Sequence, residues 1–222
     1  MAYIVFEGIN GSGKTTQAKL LLQYLKKVTD KKVIYTREPG AQDENEVIQS
    51  HFAEDVRQLV QGKDYERLYG EIQTGVAELL GYSMSRAHTL PTIVKPVLEK
   101  GGIVIADRSY LSSAAFQGYA RNLGIKHVLA VNKLALQGIE PDLIIYIDLK
   151  PEIALTRTDD KEGDKHEKEG FEYHLKTYDG YKMLSDMPEF KDRWVNIDGS
   201  GTKEDVFERV KKAVTDFLQS RS

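Results

Sequence analysis

The clearest chemical capacity lies near the start of the chain. Gly8-Ile9-Asn10-Gly11-Ser12-Gly13-Lys14-Thr15-Thr16 carries the pattern G-x-x-x-x-G-K-[ST]. Gly11 and Gly13 permit the backbone to curl so that consecutive N–H groups converge on one anion. A helix opening near Lys14 would add the positive end of its dipole at the same point. In such a loop the lysine reaches the β- and γ-phosphates and the Thr15 hydroxyl ligates Mg²⁺, so the stretch predicts nucleoside triphosphate binding.

Two other places carry charge where chemistry could use it. Arg37 ends the apolar run Val33-Ile34-Tyr35-Thr36, and Asp107-Arg108 follows Ile103-Val104-Ile105-Ala106. Asp107 suits either Mg²⁺, held through water beside Thr15, or a helix cap or a structural pair with Arg108. Two arginines on the rim of a phosphate loop predict a second anion site, held by bidentate hydrogen bonds.

These residues need a frame, and the chain supplies one by alternating strands and helices. Ala2–Phe6 precedes the loop and Gln17–Leu25 has helical periodicity, which gives strand, loop and helix in the required order. Further strands are predicted at 33–36, 103–106, 143–147 and 194–197. Helical patterns fall at about 64–86, 93–98, 127–137, 152–157, 171–187 and 203–218. In the first of these, Leu68, Ile72, Val76, Leu79 and Leu80 share a face. The fold expected is α/β, a three-layer sandwich with a central five-stranded parallel sheet, covering 1–222 as a single domain. Ligand-handling residues in such sheets lie beyond the carboxyl ends of the strands, which puts the loop, Arg37 and Asp107-Arg108 on one rim.

Composition narrows the classes. With 222 residues, 41% hydrophobic and 29% charged, the chain is expected to be an ordinary globular domain. A net charge of −3 offers no global attraction for a nucleic acid polymer. No cysteine is present, which removes disulfides and thiolate metal sites, and the five histidines have no metal-ligand spacing. No apolar run reaches the length of a membrane span, and only one or two residues precede the first strand, so the expected location is cytoplasmic. The run 158–170 has no large apolar residue and is expected to form a solvated loop or a lid closing on ligand.

The chain resembles the thymidylate kinases, the dTMP-phosphorylating branch of the P-loop nucleoside monophosphate kinases. The motifs are Phe6–Gln17, Thr36-Arg37-Glu38-Pro39-Gly40, Ser85-Arg86-Ala87, Asp107–Gly118, Pro141-Asp142-Leu143, Ala154–Arg157 and Asn196–Gly199. The resemblance implies transfer of the γ-phosphate of ATP to dTMP, for dTTP synthesis, with Mg²⁺ as cofactor and a homodimer built on the long helices. It implies that Gly8, Asn10, Gly11, Ser12, Gly13, Lys14, Thr15, Thr16 and Arg157 serve ATP, with Thr15 and Asp107 at the metal. Arg37 and Arg108 would hold the acceptor phosphate. Tyr82 would face the thymine ring, Arg86 would bond the base edge, and Ser113 and Gln117 would line the base pocket. Phe116 would crowd the place of a ribose 2′-hydroxyl. Read without the family, Tyr82 and Phe116 are core aromatics.

The sequence departs from the family pattern in two places that matter. Asn10 stands where Asp is common, and the lid carries no arginine, leaving Lys161 or Lys165, with Lys165 the expected catalytic cation. Ala41-Gln42 also replaces a frequent Gly-Thr. Two other readings stay open: a kinase for another (deoxy)nucleotide or deoxynucleoside, and a catalytically degenerate nucleotide-binding relative.

Overall fold

The computed structural model describes residues 1–62, 70, 73–157 and 170–221. Five strands, β1 (Ala2–Glu7), β2 (Val33–Arg37), β3 (Ile103–Asp107), β4 (Leu143–Asp148) and β5 (Trp194–Asp198), form one sheet in the order β2-β3-β1-β4-β5. Every pairing is parallel. Each strand runs one residue beyond its apolar run, because the last residue of each is polar or charged yet still pairs in register. Arg37 and Phe6 both lie opposite Asp107, and Glu7 lies opposite Tyr146. The chemistry therefore starts inside the sheet, on its last rung.

Alternation along the strands divides the core. Tyr3, Val5, Val104, Ala106, Ile144 and Tyr146 face one layer of helices. Ala2, Ile4, Phe6, Ile103, Ile105, Ile145 and Ile147 face the other, where α1 (Lys14–Val28) supplies Ala18, Leu21, Leu22 and Leu25. These two buried faces are why the strands are apolar throughout. The expected three-layer α/β sandwich is the fold observed.

The first layer holds α2 (His51–Gln61), α3 (Gly75–Thr89) and α4 (Lys95–Glu99), the last two joined by a π-helical turn at Leu90–Val94. It continues through α5 (Tyr110–Ser113), a π-helical segment at Ala114–Ala120, α6 (Ile125–Leu136) and α8 (Phe171–Ser185), with the short α7 (Pro151–Ala154) between β4 and α8. The helix α9 (Lys203–Gln219) packs with α1 on the opposite side.

One expectation is corrected here. The helix expected from about 64 begins at Gly75, where the Thr74 hydroxyl accepts from the Ala77 N–H, and Gly70, Gln73 and Thr74 are not helical. Leu68 and Ile72 lie outside the described residues. The apolar face expected of this helix is split: Leu79 is buried, whereas Val76 and Leu80 are 53% and 54% exposed. The buried face carries Glu78, Leu79, Tyr82, Ser85 and Arg86. Hydrophobicity is a poor guide to this face because polar groups share its inner positions, of which Tyr82 and Arg86 line a cavity. The expected lid, including Lys161 and Lys165, lies outside the described residues apart from Gly170.

Candidate active site

The glycine loop joins β1 to α1. Gly8, at φ 150°, has no room for a side chain, since a Cβ would meet Ser12 Oγ at 2.7 Å and the Ile147 carbonyl at 3.0 Å. Gly13, at φ 92°, has open space around it and is required for its backbone conformation instead. It caps α1 without a side-chain acceptor, and no acid stands in the first turn of that helix. The helix end is thus left to meet an external anion. Gly11, Ser12, Gly13, Lys14, Thr15 and Thr16 line one open cleft together with the buried Gly199 and the exposed Arg157 and Thr202.

Behind the loop, the Thr15 hydroxyl donates to Asp107 Oδ2. Asp107 is buried, and its Oδ1 has no hydrogen-bond partner. A hydroxyl beside a buried carboxylate with an unused oxygen fits a hard divalent cation that takes its other ligands from phosphates and water. Among the described residues no group of three or more His, Cys, Asp or Glu could cage a metal unaided.

Arg108 follows Asp107 at φ 76°, a left-handed conformation that costs a non-glycine residue about 1–2 kcal/mol. The conformation is held from several sides. The Arg108 N–H donates to the Phe6 carbonyl at 2.9 Å. Its Nη1 donates to the Gly8 carbonyl and Ser112 Oγ, both at 3.1 Å, and Nη2 donates to Asn10 Oδ1 at 2.5 Å. The guanidinium lies 5.0 Å from the centre of the Phe116 ring. Asn10, grouped above with the triphosphate loop, therefore turns its side chain to the arginine and not to the open cleft. Arg37 is oriented by Glu54, at 3.3 Å, while Glu54 also accepts from the Ala41 N–H.

A second cavity, with about 390 Å³ of empty space, opens beyond Arg108. Tyr82, Arg86, Ser113, Phe116 and Gln117 all line it, with Asn10 and Arg108 at one end. A third hollow contains Asn10, Lys14, Thr15, Arg37, Asp107 and Arg108, and so joins this cavity to the glycine-loop cleft. Apart from Gly8, the expected site residues within the described chain thus line three hollows linked by shared residues. Tyr82 and Phe116 are both core aromatics and cavity walls, so the two readings of them hold together.

Several residues at the site carried no signal in the sequence. Glu38 receives Arg86 Nε at 2.7 Å, and Arg86 Nη1 donates to Asn132 Oδ1. Burial raises the Glu38 carboxyl above the usual glutamate range, and the Arg86 charge and hydrogen bond oppose it. Glu7, fully buried, accepts from Ser109 and Ser112 at 2.6 Å and from Tyr181 at 2.8 Å. Its pKa is also raised, first by burial, against the pull of those hydrogen bonds. Glu78 receives the Gln117 amide at 2.6 Å and Arg121 at 3.4 Å. Glu7 and Glu38 sit within motifs and Glu78 does not, and no local pattern marks Glu7 or Glu78 as a partner of residues so far along the chain.

A glycine loop at the head of a parallel sheet, linked through a cationic corridor to a cavity walled by buried side chains, defines the P-loop nucleoside monophosphate kinase class. Comparison with known proteins narrows the class. The sequence model of the family described as thymidylate kinase matches residues 6–210. A thymidylate kinase of Caldanaerobacter subterraneus is 40% identical over 98% of this chain and 96% of its own. One of Caldicellulosiruptor saccharolyticus is 38% identical over 99% and 98%. The crystal structure of thymidylate kinase from Ehrlichia chaffeensis superposes with a TM-score of 0.71 at 27% identity, covering 96% of this chain and 98% of that one. The chain belongs to the thymidylate kinase family.

Proposed function

We propose that this protein transfers the γ-phosphate of ATP to dTMP, giving ADP and dTDP. The observation that carries the reading is the hollow between the two clefts, which shares Lys14 and Thr15 with the glycine-loop cleft and Asn10 and Arg108 with the second cavity. Two nucleotides entering from opposite ends would meet phosphate to phosphate there.

Each residue then has a physical task. The amides of Gly11–Thr16 and the α1 terminus hold the donor phosphates, and Arg157 stands at the mouth of that cleft. Lys14 reaches the phosphates between the two clefts and offsets charge on the moving group. Arg37 and Arg108 align the acceptor phosphate, which is already ionised and needs no strong base. Thr15 and Asp107 would hold Mg²⁺, which neutralises the donor phosphates and orients the transferred group. Tyr82, Arg86, Ser113 and Gln117 receive the base, and Phe116 occupies the space a ribose hydroxyl would need.

The proposal extends to the rest of the chain. Residues 1–222 act as one kinase domain in the cytoplasm, with a lid at 158–170 whose Lys165 supplies a cation over the phosphates. The exposed stripe Val76, Leu80 and Met84 on α3, beside Phe52 and Leu59 on α2, supports a homodimer. Light scattering on the eluted protein checks that mass, and a monomer at micromolar concentration would reject it. Among the described residues no helix is long and apolar enough to cross a membrane.

A coupled ADP-release assay against nucleoside monophosphates and deoxynucleosides tests the function. Turnover should be fastest with dTMP and depend on Mg²⁺. A faster acceptor of another base, or ATP binding without turnover, would overturn the reading.

A further inference from the structure

Gln117 is 1% exposed and lines the second cavity, yet only half of its amide is engaged. Its Nε2 donates to Glu78 Oε1 at 2.6 Å, while Oε1 is buried with no partner. A buried carbonyl left unpaired costs about 1–3 kcal/mol, so a group of this kind in a cavity wall marks a place for a donor. The amide orientation is chemically forced. A carboxylate facing an arginine offers acceptors only, and Glu78 is faced by Arg121 Nε and Nη2, both at 3.4 Å. Gln117 must therefore turn its NH₂ to Glu78, and the carbonyl oxygen cannot exchange places with it.

Arg86 supplies the opposite polarity on the same cavity wall. Its guanidinium has donors only, fixed by Glu38, Asn132 and Ser113. Thymine and uracil present a carbonyl O4 beside an N3–H, an acceptor beside a donor. Cytosine presents an N4 amine beside a bare N3, which is the reverse.

We infer that Glu78 is a specificity-determining positioning residue, which locks the Gln117 amide with its carbonyl set to accept a pyrimidine N3–H. The inference rests on the proposed dTMP kinase activity. Glu78 lines none of the three hollows and acts through Gln117. Cytosine is refused because it would leave that carbonyl unpaired and bring its bare N3 against it. Arg121 belongs to the same device, since its charge holds Glu78 as an acceptor. Its guanidinium is itself held 5.0 Å over the Tyr173 ring of α8.

The test compares dUMP with dCMP, which differ only at position 4 and in the N3 proton, in kcat/KM for wild type, Glu78→Gln, Gln117→Leu and the double variant. An amide at position 78 can donate as well as accept, so Gln117 regains both orientations. The dUMP-to-dCMP ratio should fall by roughly tenfold or more in Glu78→Gln, mainly through KM, with KM for ATP unchanged. Gln117→Leu should lower the ratio similarly, and adding Glu78→Gln to it should change nothing further. A fall below about fivefold in Glu78→Gln, or an undiminished effect in the Gln117→Leu background, overturns the inference. If Glu78→Gln does not fold, Gln117→Leu decides: a ratio at the wild-type value overturns it, and a lowered one supports it. Wild type that phosphorylates neither dTMP nor dUMP would instead sink the dTMP kinase reading.

Discussion

The two ends of the passage recognise their ligands by different means. On the glycine-loop side the groups on offer are backbone amides and a helix terminus, in an open cleft whose arginine, Arg157, is exposed. On the other side most polar groups are buried or half-buried side chains already tied to another group. Arg86 is held by Glu38, Asn132 and Ser113, Arg108 by Gly8, Asn10 and Ser112, and Gln117 by Glu78. A triphosphate looks alike on any nucleotide, so a cradle of amides serves it well. One base among several requires donors and acceptors fixed in direction, and only a buried network holds them so. The contrast predicts that damage on the first side strikes turnover and damage on the second strikes selection.

The largest effect is expected at the junction. Lys14→Ala should lower kcat by roughly a thousandfold or more, with thermal stability near that of the parent. Steady-state turnover and a thermal melt check both halves of this. Near-normal turnover would remove Lys14 from the moving phosphate and leave the glycine-loop side with binding alone.

Next comes Arg108→Ala, which should raise KM for dTMP by about a hundredfold while KM for ATP moves by less than about threefold. The separation is a sharp one because Arg108 also holds the Gly8 carbonyl, on the loop itself. Titrating each substrate against saturating amounts of the other reads the split. Equal losses for both nucleotides would mean that the two ends are a single unit, and the comparison would fail.

The same contrast decides what the sequence could reveal. The glycine loop was legible because its function lies in consecutive residues, and strand, loop and helix follow within a few positions. The sheet was legible because strands buried on both faces must be apolar. The strand ends were read one residue short, since Glu7, Arg37, Asp107, Asp148 and Asp198 break the apolar runs while still pairing. The network was not legible from spacing. Arg86 meets Glu38 across 48 residues, Gln117 meets Glu78 across 39, and Tyr181 meets Glu7 across 174. The motifs named Arg86 and Gln117 through family resemblance, but their anchors have no local period to give them away. On α3 the network takes inner positions while Val76 and Leu80 of the apparent apolar face turn outward.

The smallest effect concerns Glu7, and it tests whether the buried side carries a standing electrostatic cost. Burial raises the Glu7 pKa in the folded protein against the hydrogen bonds of Ser109, Ser112 and Tyr181 and the charge of Arg108. Between the ordinary glutamate value and the raised one, the folded chain binds more protons than the unfolded chain, so stability falls as pH rises through that window. The stabilising share is complete below the unfolded value and is lost above the folded one. Glu7→Gln abolishes this titration while keeping the shape, and it also removes the Glu7 charge that helps to raise Glu38, so the accompanying change at Glu38 has the same sign. Melting curves from about pH 5 to about pH 8 should therefore show wild type losing ground to Glu7→Gln as pH increases. Parallel curves would mean that the hydrogen bonds and Arg108 fully offset the burial, leaving the acceptor side as free of electrostatic cost as the amide cradle.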